Sequence, residues 1–582
     1  MAFFPGGQLR IALVLDSFAA AYQATLVRFT RQACARRGLS LVVFPGGVIG
    51  GTSFAAEQRN RIYALISQAR FDGVIILAGT MMREARPDQV REFLERFRPM
   101  PMCSIGASLE GIPSYLVDNR DGMRALTRHL VVDHGYRSLA FIGGTTTSEE
   151  GNERLSAFRD ELESHGIPLP REDVVLGDFM SASGQSALHL LIEERGRRPR
   201  AIVAANDAMA MGALEALSHY PPELARQIAV CGFDNVIESD FCSPPLTTVE
   251  QPLQRLAEGA VTGLVAQLSG QRCDAVTRYE TRPVFRRSCG CGEAQAAAPE
   301  MQRRKAARGS SVLEFMRHRD DILAQLSLAS AGAYDVLPRW SEVLLDSFIE
   351  QIRGVKGAEF LNQVRQLLQH SASDRHGETW RFHNVLSAIR LHCLPCVAGD
   401  HVQWALAEDL LQTARTITGE AVLLGQARRL LAADQQGLIT NNLGTLLGDA
   451  RDERELGEAL QKGSQQLGKC RLVGVEFVAT ADPKGADPKG ATARAFFYSG
   501  TEAGSPPPRV AFRADQLVPE VEWLRGEKSA WVALPLFYRH EPLGYLLAEL
   551  CLDDGTAYES LRVHTSAALW ALTQSRGAPQ RI

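Results

Sequence analysis

The chain has 582 residues, 45% hydrophobic and 22% charged, with a formal net charge of −4. That length implies two or more domains at about 100–200 residues each, and the composition is that of an ordinary globular protein. The acidic balance argues against a dedicated nucleic-acid surface, which would show clustered Lys and Arg. No apolar run reaches the roughly 18 residues of a membrane helix. Eleven cysteines, an odd number and mostly scattered singly, point to a reducing compartment rather than a disulfide framework.

Arg10 to Asp16 reads as a buried strand, followed by a helix over 20–37 that Gly38 stops. Strands are expected at 41–44, 73–77 and 102–105, with helices at 57–69 and 88–97 between them. The start of the first strand at position 9 or 10 leaves no room for a secretory leader, so a cytoplasmic protein is expected. Tyr115 to Asn119 leads into a helix that ends near His129–Leu130 and His134–Gly135, and Leu139 to Ile142 is the next strand. Arg154 and Phe158 are expected to open a helix, and Val174 to Leu176 is a strand ending in Gly177-Asp178-Phe179. Four β-α units in series predict a doubly wound parallel sheet with right-handed connections.

The most informative stretch is Ala201 to Pro252. An apolar run ends in Asn206-Asp207 and passes straight into an alanine-rich helix; a second apolar run, Ile228 to Val230, ends in Gly232-Phe233-Asp234-Asn235. In open α/β sheets, ligands bind outside the carboxyl ends of the strands. Asn206-Asp207-x-Met209-Ala210-x-Gly212-Ala213, Val230-x-Gly232-Phe233-Asp234 and Pro244-Pro245-Leu246-Thr247-Thr248-Val249 together resemble the effector-binding core of the lac/galactose repressor family. The resemblance covers about residues 8–291. It implies the type I periplasmic-binding-protein fold: two α/β lobes with doubly wound parallel sheets, joined by three crossings near Gly143, Thr247–Gln251 and Val276–Arg286. Hinge closure on a ligand is a recognised switching mode. Phe44-x-Gly46-Gly47, Asn60-x-Ile62-Tyr63-x-Leu65-Ile66 and Arg287-Ser288-Cys289-Gly290-Cys291 narrow the resemblance to the subgroup fused to signalling modules.

The resemblance implies effector contacts at Asn206, Asp234 and Arg154, with Phe179 as a stacking aromatic. Asp16 and Tyr22, after the first strand, match more loosely, because the family's usual Asn-Pro-Phe-Phe-like run is absent. Chemically, Asn both donates and accepts, a carboxylate accepts, and a guanidinium fork suits vicinal hydroxyls or a carboxylate. The bland alternatives are a helix cap for Asn206 (or Asp207), a surface salt bridge for Arg154 and core packing for Phe179.

Cys289-Gly-Cys291 is half of a metal site without a second pair, and Cys393-x-x-Cys396 is distant with Pro395 inside it. His129, His134 and His392 read as ordinary helix-surface or boundary residues. No metal and no cofactor is expected, nor a catalytic triad or phosphate-binding loop.

Residues 292–311 read as an Ala- and charge-rich linker, and 312–451 as a helical connector with Leu/Ile/Val at three- and four-residue spacing. A tandem repeat, Asp482-Pro-Lys-Gly-Ala then Asp487-Pro-Lys-Gly-Ala, looks like a solvated insertion. Helix 453–467, strands 472–478, 495–498, 529–537 and 541–550, and helix 558–572 make an α+β domain over 452–576. Its Leu534-Pro535-Leu536 and Leu543-Gly544-Tyr545-Leu546 phrases resemble a GAF domain.

The expected function is a ligand-sensing regulatory protein, not an enzyme. It would bind a small polar effector such as a sugar, form a homodimer, act on a downstream signalling protein and contact no membrane. Two other readings stand beside it: a DNA-binding regulator of the lac/galactose type, made less favoured by the missing helix-turn-helix ahead of the first strand, and a scaffold that senses nothing.

Overall fold

The computed structural model describes residues 9–51, 53–291, 311–330, 334, 337–355, 359–373, 378–468, 470–478, 492–498, 510–513, 517, 530–552 and 555–577. The 482–491 repeat and nearly all of the 292–311 linker lie outside these residues. The chain forms two compact units, Met1–Gly290 with Leu438–Ile582, and Cys291–Gly437.

In the first unit, β1 (Arg10–Leu15), β2 (Ser40–Pro45), β3 (Gly73–Ile76), β4 (Met102–Ile105) and β5 (Ser114–Val117) run parallel in the order β5-β4-β3-β1-β2. Five of the six residues of β1 are fully buried, as expected where helices cover both faces of a parallel sheet. A second parallel sheet holds β6 (Leu139–Gly143), β7 (Val174–Leu176), β8 (Ala201–Ala204) and β9 (Ala229–Cys231), in the order β7-β6-β8-β9. The crossings follow: β10 (Thr248–Glu250) pairs antiparallel with β12 (Arg282–Val284), and β11 (Val276–Tyr279) extends the first sheet beside β5. The expected doubly wound, two-lobed α/β architecture is therefore observed.

Several boundaries differ from expectation. The helix expected at 57–69 is Phe54–Asn60 followed by a tighter 3-10 turn, Arg61–Leu65. That turn brings the Tyr63 hydroxyl to donate to the Leu15 carbonyl at 2.9 Å. The helix expected to open at Arg154 starts at Glu149, where the Ser148 side chain accepts from the Gly151 N–H; Arg154 lies in its second turn. Several elements were unforeseen, among them strand β5 and the helix that follows the second crossing. Strand β5 is four residues long, and helix Leu253–Leu268 contains Gly259 and Gly263, which lower its intrinsic helix signal. Side chains at those two glycines would strike Tyr279 and Tyr115.

Downstream, β13 (Leu472–Val478), β14 (Thr492–Tyr498), β15 (Val510–Arg513), β16 (Ala530–Tyr538) and β17 (Glu541–Glu549) are antiparallel neighbours in the order β16-β17-β13-β14-β15. Their sheet does not stand apart. Strand β16 pairs parallel with β2, so the described residues form one eleven-stranded sheet. Helix Gly555–Gly577 completes this part, and its Leu561 and Leu569 are fully buried.

The second unit is helical among its described residues: Ser311–Ser330, Trp340–Ile352, Phe360–Ser373, Phe382–Val397 and most of His401–Gly448. Phe348, Phe360, Phe382, Ile389 and Cys393 lie in its core. Among the described residues, no helix is long and apolar enough to cross a membrane.

In the second lobe, helices Ser181–His189 and Asp207–Leu217 touch through glycines. A Cβ on Gly184 would lie 2.0 Å from the Met209 carbonyl oxygen, and one on Gly212 would lie 2.1 Å from that of Ser181. Backbone cannot yield as a side-chain tip can. Gly184→Ala and Gly212→Ala should each destabilise the chain by about 1–3 kcal/mol, read from urea unfolding. The double variant should cost less than the sum, because both widen the same contact.

Candidate functional site

Arg154 is 2% exposed and lies among the strand ends of the second lobe. Its Nε donates to Asn119 Oδ1 at 2.9 Å, and its Nη1 donates to the Ala205 carbonyl at 2.8 Å. Nη1 lies 3.6 Å from Asp234 Oδ1, and Nη2 lies 3.9 Å from Glu150 Oε1, one helical turn back. The Phe233 ring lies 3.9 Å from its Cζ, a cation–π contact. Arg154 is thus no surface salt bridge: it ties together the ends of two strands and the starts of two helices.

Asp234 follows β9 with φ 127, and Asn235 follows with φ 54. Non-glycine residues rarely adopt such angles, and they persist only where surrounding contacts enforce them. Here the Asp234 N–H donates to the Val249 carbonyl at 2.9 Å, and Gln251 Nε2 donates to Asp234 Oδ1 at 2.6 Å. Burial pushes the Asp234 carboxyl up to about 8; Arg154 and Gln251 pull against this, while Asp207 and Glu150 add to it. Asp207 is fully buried, accepting from the Thr248 hydroxyl at 2.5 Å and the Val236 N–H at 3.0 Å. Burial pushes its carboxyl up to about 6.

Asn206 caps the helix that follows it, accepting from the Met209 N–H at 3.0 Å. Its amide nitrogen donates to the Phe179 carbonyl at 3.0 Å. Phe179 has φ 70, and its half-buried ring lies over two glycines: Cβ atoms on Gly144 and Gly151 would fall 2.0 Å and 3.1 Å from it. The cap is therefore real, and it holds Asn206 beside the aromatic ring and the Arg154 anchor at Ala205.

The first lobe supplies Asp16 and Tyr22. Asp16 accepts from Thr80 Oγ1 at 2.7 Å, Gln23 Nε2 at 3.2 Å and Arg83 Nη1 at 3.2 Å. Burial raises the Tyr22 hydroxyl well above its ordinary value; the charges of Glu150, Asp234 and Asp16 add to this, and Arg154 opposes it. The lobes also touch directly: the Arg83 carbonyl accepts from the Thr145 and Thr147 hydroxyls, and Ser108 N–H donates to Glu149 Oε2 at 3.3 Å.

Of the six residues singled out in the sequence, Arg154, Asp234, Asn206 and Phe179 lie together at the strand ends of the second lobe, and Asp16 is held within the first lobe by Thr80, Gln23 and Arg83. Glu150, Asn119, Gln251 and Asp207 belong with the first four as well. Glu150 was findable, since a Glu four residues before an Arg on a helix faces it. Asn119 and Gln251 carried no such signal, because their partners lie 35 and 17 residues away.

Arg154→Met should destabilise the chain by about 3 kcal/mol, since it leaves buried acceptors and carboxyls without their cation; denaturant unfolding measures this. A second expectation concerns pH. The folded state keeps on Asp234 a proton that the unfolded chain releases near pH 4, so this contribution to stability is lost as pH rises through about 8. Relative to Asp234→Asn, the parent chain should lose stability between about pH 4 and 8, by at most about 1.4 kcal/mol per pH unit, and the difference should level off above pH 8. Thermal midpoints in matched buffers test this, and a pH-independent difference contradicts it.

Residues 127–289 match the family model described as a periplasmic binding protein-like domain. Two relatives are named HTH-type transcriptional repressor PurR. That of Photorhabdus laumondii subsp. laumondii is 28% identical over 281 residues, covering 48% of this chain and 79% of that protein. That of Yersinia pestis (strain Pestoides F) is 29% identical over 286 residues, covering 48% and 80%. Among solved structures, a transcriptional regulator CelR–cellobiose complex is 26% identical with a TM-score of 0.41, covering 49% of this chain and 86% of the other. Residues 127–289 thus resemble a periplasmic binding protein-like domain, within a half-chain similar to transcriptional repressors named PurR.

Proposed function

We propose that residues 8–291 form a sensor for a small polar metabolite, a sugar or a molecule with similar hydroxyls, held between the two lobes. The observation that carries this reading is the convergence of polar groups from both lobes: Asp16 and Tyr22 from one, Arg154 with Asp234 from the other. Carboxyls and a guanidinium fork supply both acceptors and donors for hydroxyls, and Phe179 supplies an apolar wall. A ligand shifts the open–closed equilibrium only by its differential affinity for the two states, and groups divided between lobes provide that difference.

The relay runs through the segment after β1. Two residues beyond Asp16, the Phe18 ring stacks on Tyr558 at 5.7 Å, and the Phe18 carbonyl lies where a Cβ on Gly555 would fall, 2.1 Å away. Arg31 Nη1 donates to the Leu550 carbonyl at 2.8 Å, and Arg59 pairs with Glu559. Movement at the cleft edge is therefore felt by the C-terminal helix of the GAF-like domain (452–576), with 312–451 as the helical connector. A homodimer fits helix His401–Gly448, where Leu424, Leu431 and Leu438 recur every seven residues and are 53%, 61% and 62% exposed. The downstream partner would be another signalling protein. The second reading, a DNA-binding regulator, draws on the similarity to the repressors named PurR. A salt-sensitive gel shift would support it.

The test is thermal unfolding of the full chain against sugars, nucleosides, purine bases and amino acids. A ligand at a hundred times its dissociation constant should stabilise the first unit by about 2.7 kcal/mol. Tyr22→Phe and Asp234→Asn should each reduce that shift. A panel without any shift, or a shift that both variants leave unchanged, rules out this site as the sensor.

A further inference from the structure

We propose that His129, His134, Cys289 and Cys291 form a tetrahedral zinc site that clamps the end of the third crossing onto the second lobe. One candidate ligand atom from each of the four residues can be chosen so that all lie within 4.8 Å of one another. Structural zinc sites are mostly closed sets of four Cys and His ligands, with Zn–S near 2.3 Å and Zn–N near 2.0–2.1 Å. A tetrahedron on those bonds has edges of roughly 3.3–3.8 Å, so small side-chain rotations close the site.

The geometry is built rather than accidental. Helix Asn119–Arg128 runs into a π-turn, His129–Asp133, and the His134 N–H donates to the His129 carbonyl at 3.3 Å. On a regular α-helix, residues five apart diverge by about 140°. The wider turn brings both rings to one side, with centroids 4.7 Å apart and the two Nε2 atoms 3.1 Å apart. Such π-bulges occur often at functional positions. Cys289 Sγ lies 3.5 Å from His129 Nε2.

Between the cysteines, Gly290 has φ 97, and a Cβ there would fall 2.6 Å from the Tyr136 hydroxyl. Only glycine allows this turn without strain, and the turn keeps Cys291 with Cys289 beside the histidines. Outer contacts fit as well. His129 Nδ1 lies 2.7 Å from Asp133 Oδ2, which fixes the proton on Nδ1 and leaves Nε2 as the ligand atom. Tyr136 stacks on His134 and donates to the Cys289 carbonyl at 3.1 Å, and Phe285 stacks on His129 at 3.9 Å. Two thiolates with two imidazoles favour zinc over calcium or magnesium, which take oxygen ligands.

The full chain, purified under reducing conditions without added metal, should contain about one zinc per chain, with X-ray absorption fitting two sulfur and two nitrogen ligands. Removing zinc and adding Co2+ should give the visible bands of a tetrahedral thiolate complex. Cys289→Ser with Cys291→Ser should reduce the bound metal at least tenfold, whereas Cys393→Ser should leave it unchanged. The Co2+ spectrum of the parent chain needs no variant, so a variant that fails to fold does not obscure the answer. A reduced, folded parent chain that binds neither metal overturns the proposal. So does metal that follows Cys393, or a Cys289–Cys291 disulfide that persists under reduction.

Discussion

The cleft depends on one buried guanidinium. Taking an arginine out of water costs several kcal/mol, and only good geometry offsets it. Arg154 meets that condition with partners from four places: Asn119 at a helix start, Ala205 beyond β8, Asp234 beyond β9 and Glu150 on its own helix. A planar fork of donors can do this; a lysine ammonium cannot. The strand ends of the second lobe are therefore held by a charge rather than by apolar packing alone, which keeps them both rigid and polar. The surrounding carboxyls exceed the single guanidinium. Burial and the neighbouring carboxylates push the Asp234 carboxyl upward against the pull of Arg154.

This arrangement explains which parts of the site were legible in the sequence. Asn206 and Asp234 close apolar runs that had to be strands, so their place at the carboxyl edge followed from the pattern. Arg154 and Phe179 were reached only through resemblance to a family, because nothing in periodicity marks a buried arginine. Asn119, Gln251 and Glu150 serve the same site by contacts that periodicity alone does not display. The Asn206 cap and its position in the site turned out to be one fact, since the carbonyl of Phe179 takes its amide while its own oxygen holds the helix.

For the fold, long periodic elements were legible and relations between distant elements were not. The strands at 102–105 and 472–478 fall where alternation and apolar runs put them. The pairing of β16 with β2 was invisible, because it joins Leu41–Val43 to Ala530–Val532 across nearly five hundred residues. An open parallel sheet has an edge that must be covered or blunted. Here β16 covers it, and Trp531 packs fully buried beside Val42. The sheet whose strand β1 leads into Asp16 is therefore continuous, through hydrogen bonds, with the C-terminal sheet.

His129 and His134 show where pattern reading fails for a physical reason. Placing side chains on a helix assumes 3.6 residues per turn, and on that assumption two histidines five apart face different directions. One inserted residue of π-turn reverses the conclusion, and the chain spends hydrogen-bond quality to make it. Local propensity does not call for such a turn. It persists because the buried His129 ring is held by Phe285 and Asp133 and faces Cys289. A departure from regular geometry that is enforced from three sides carries more information about function than the regular helix before it.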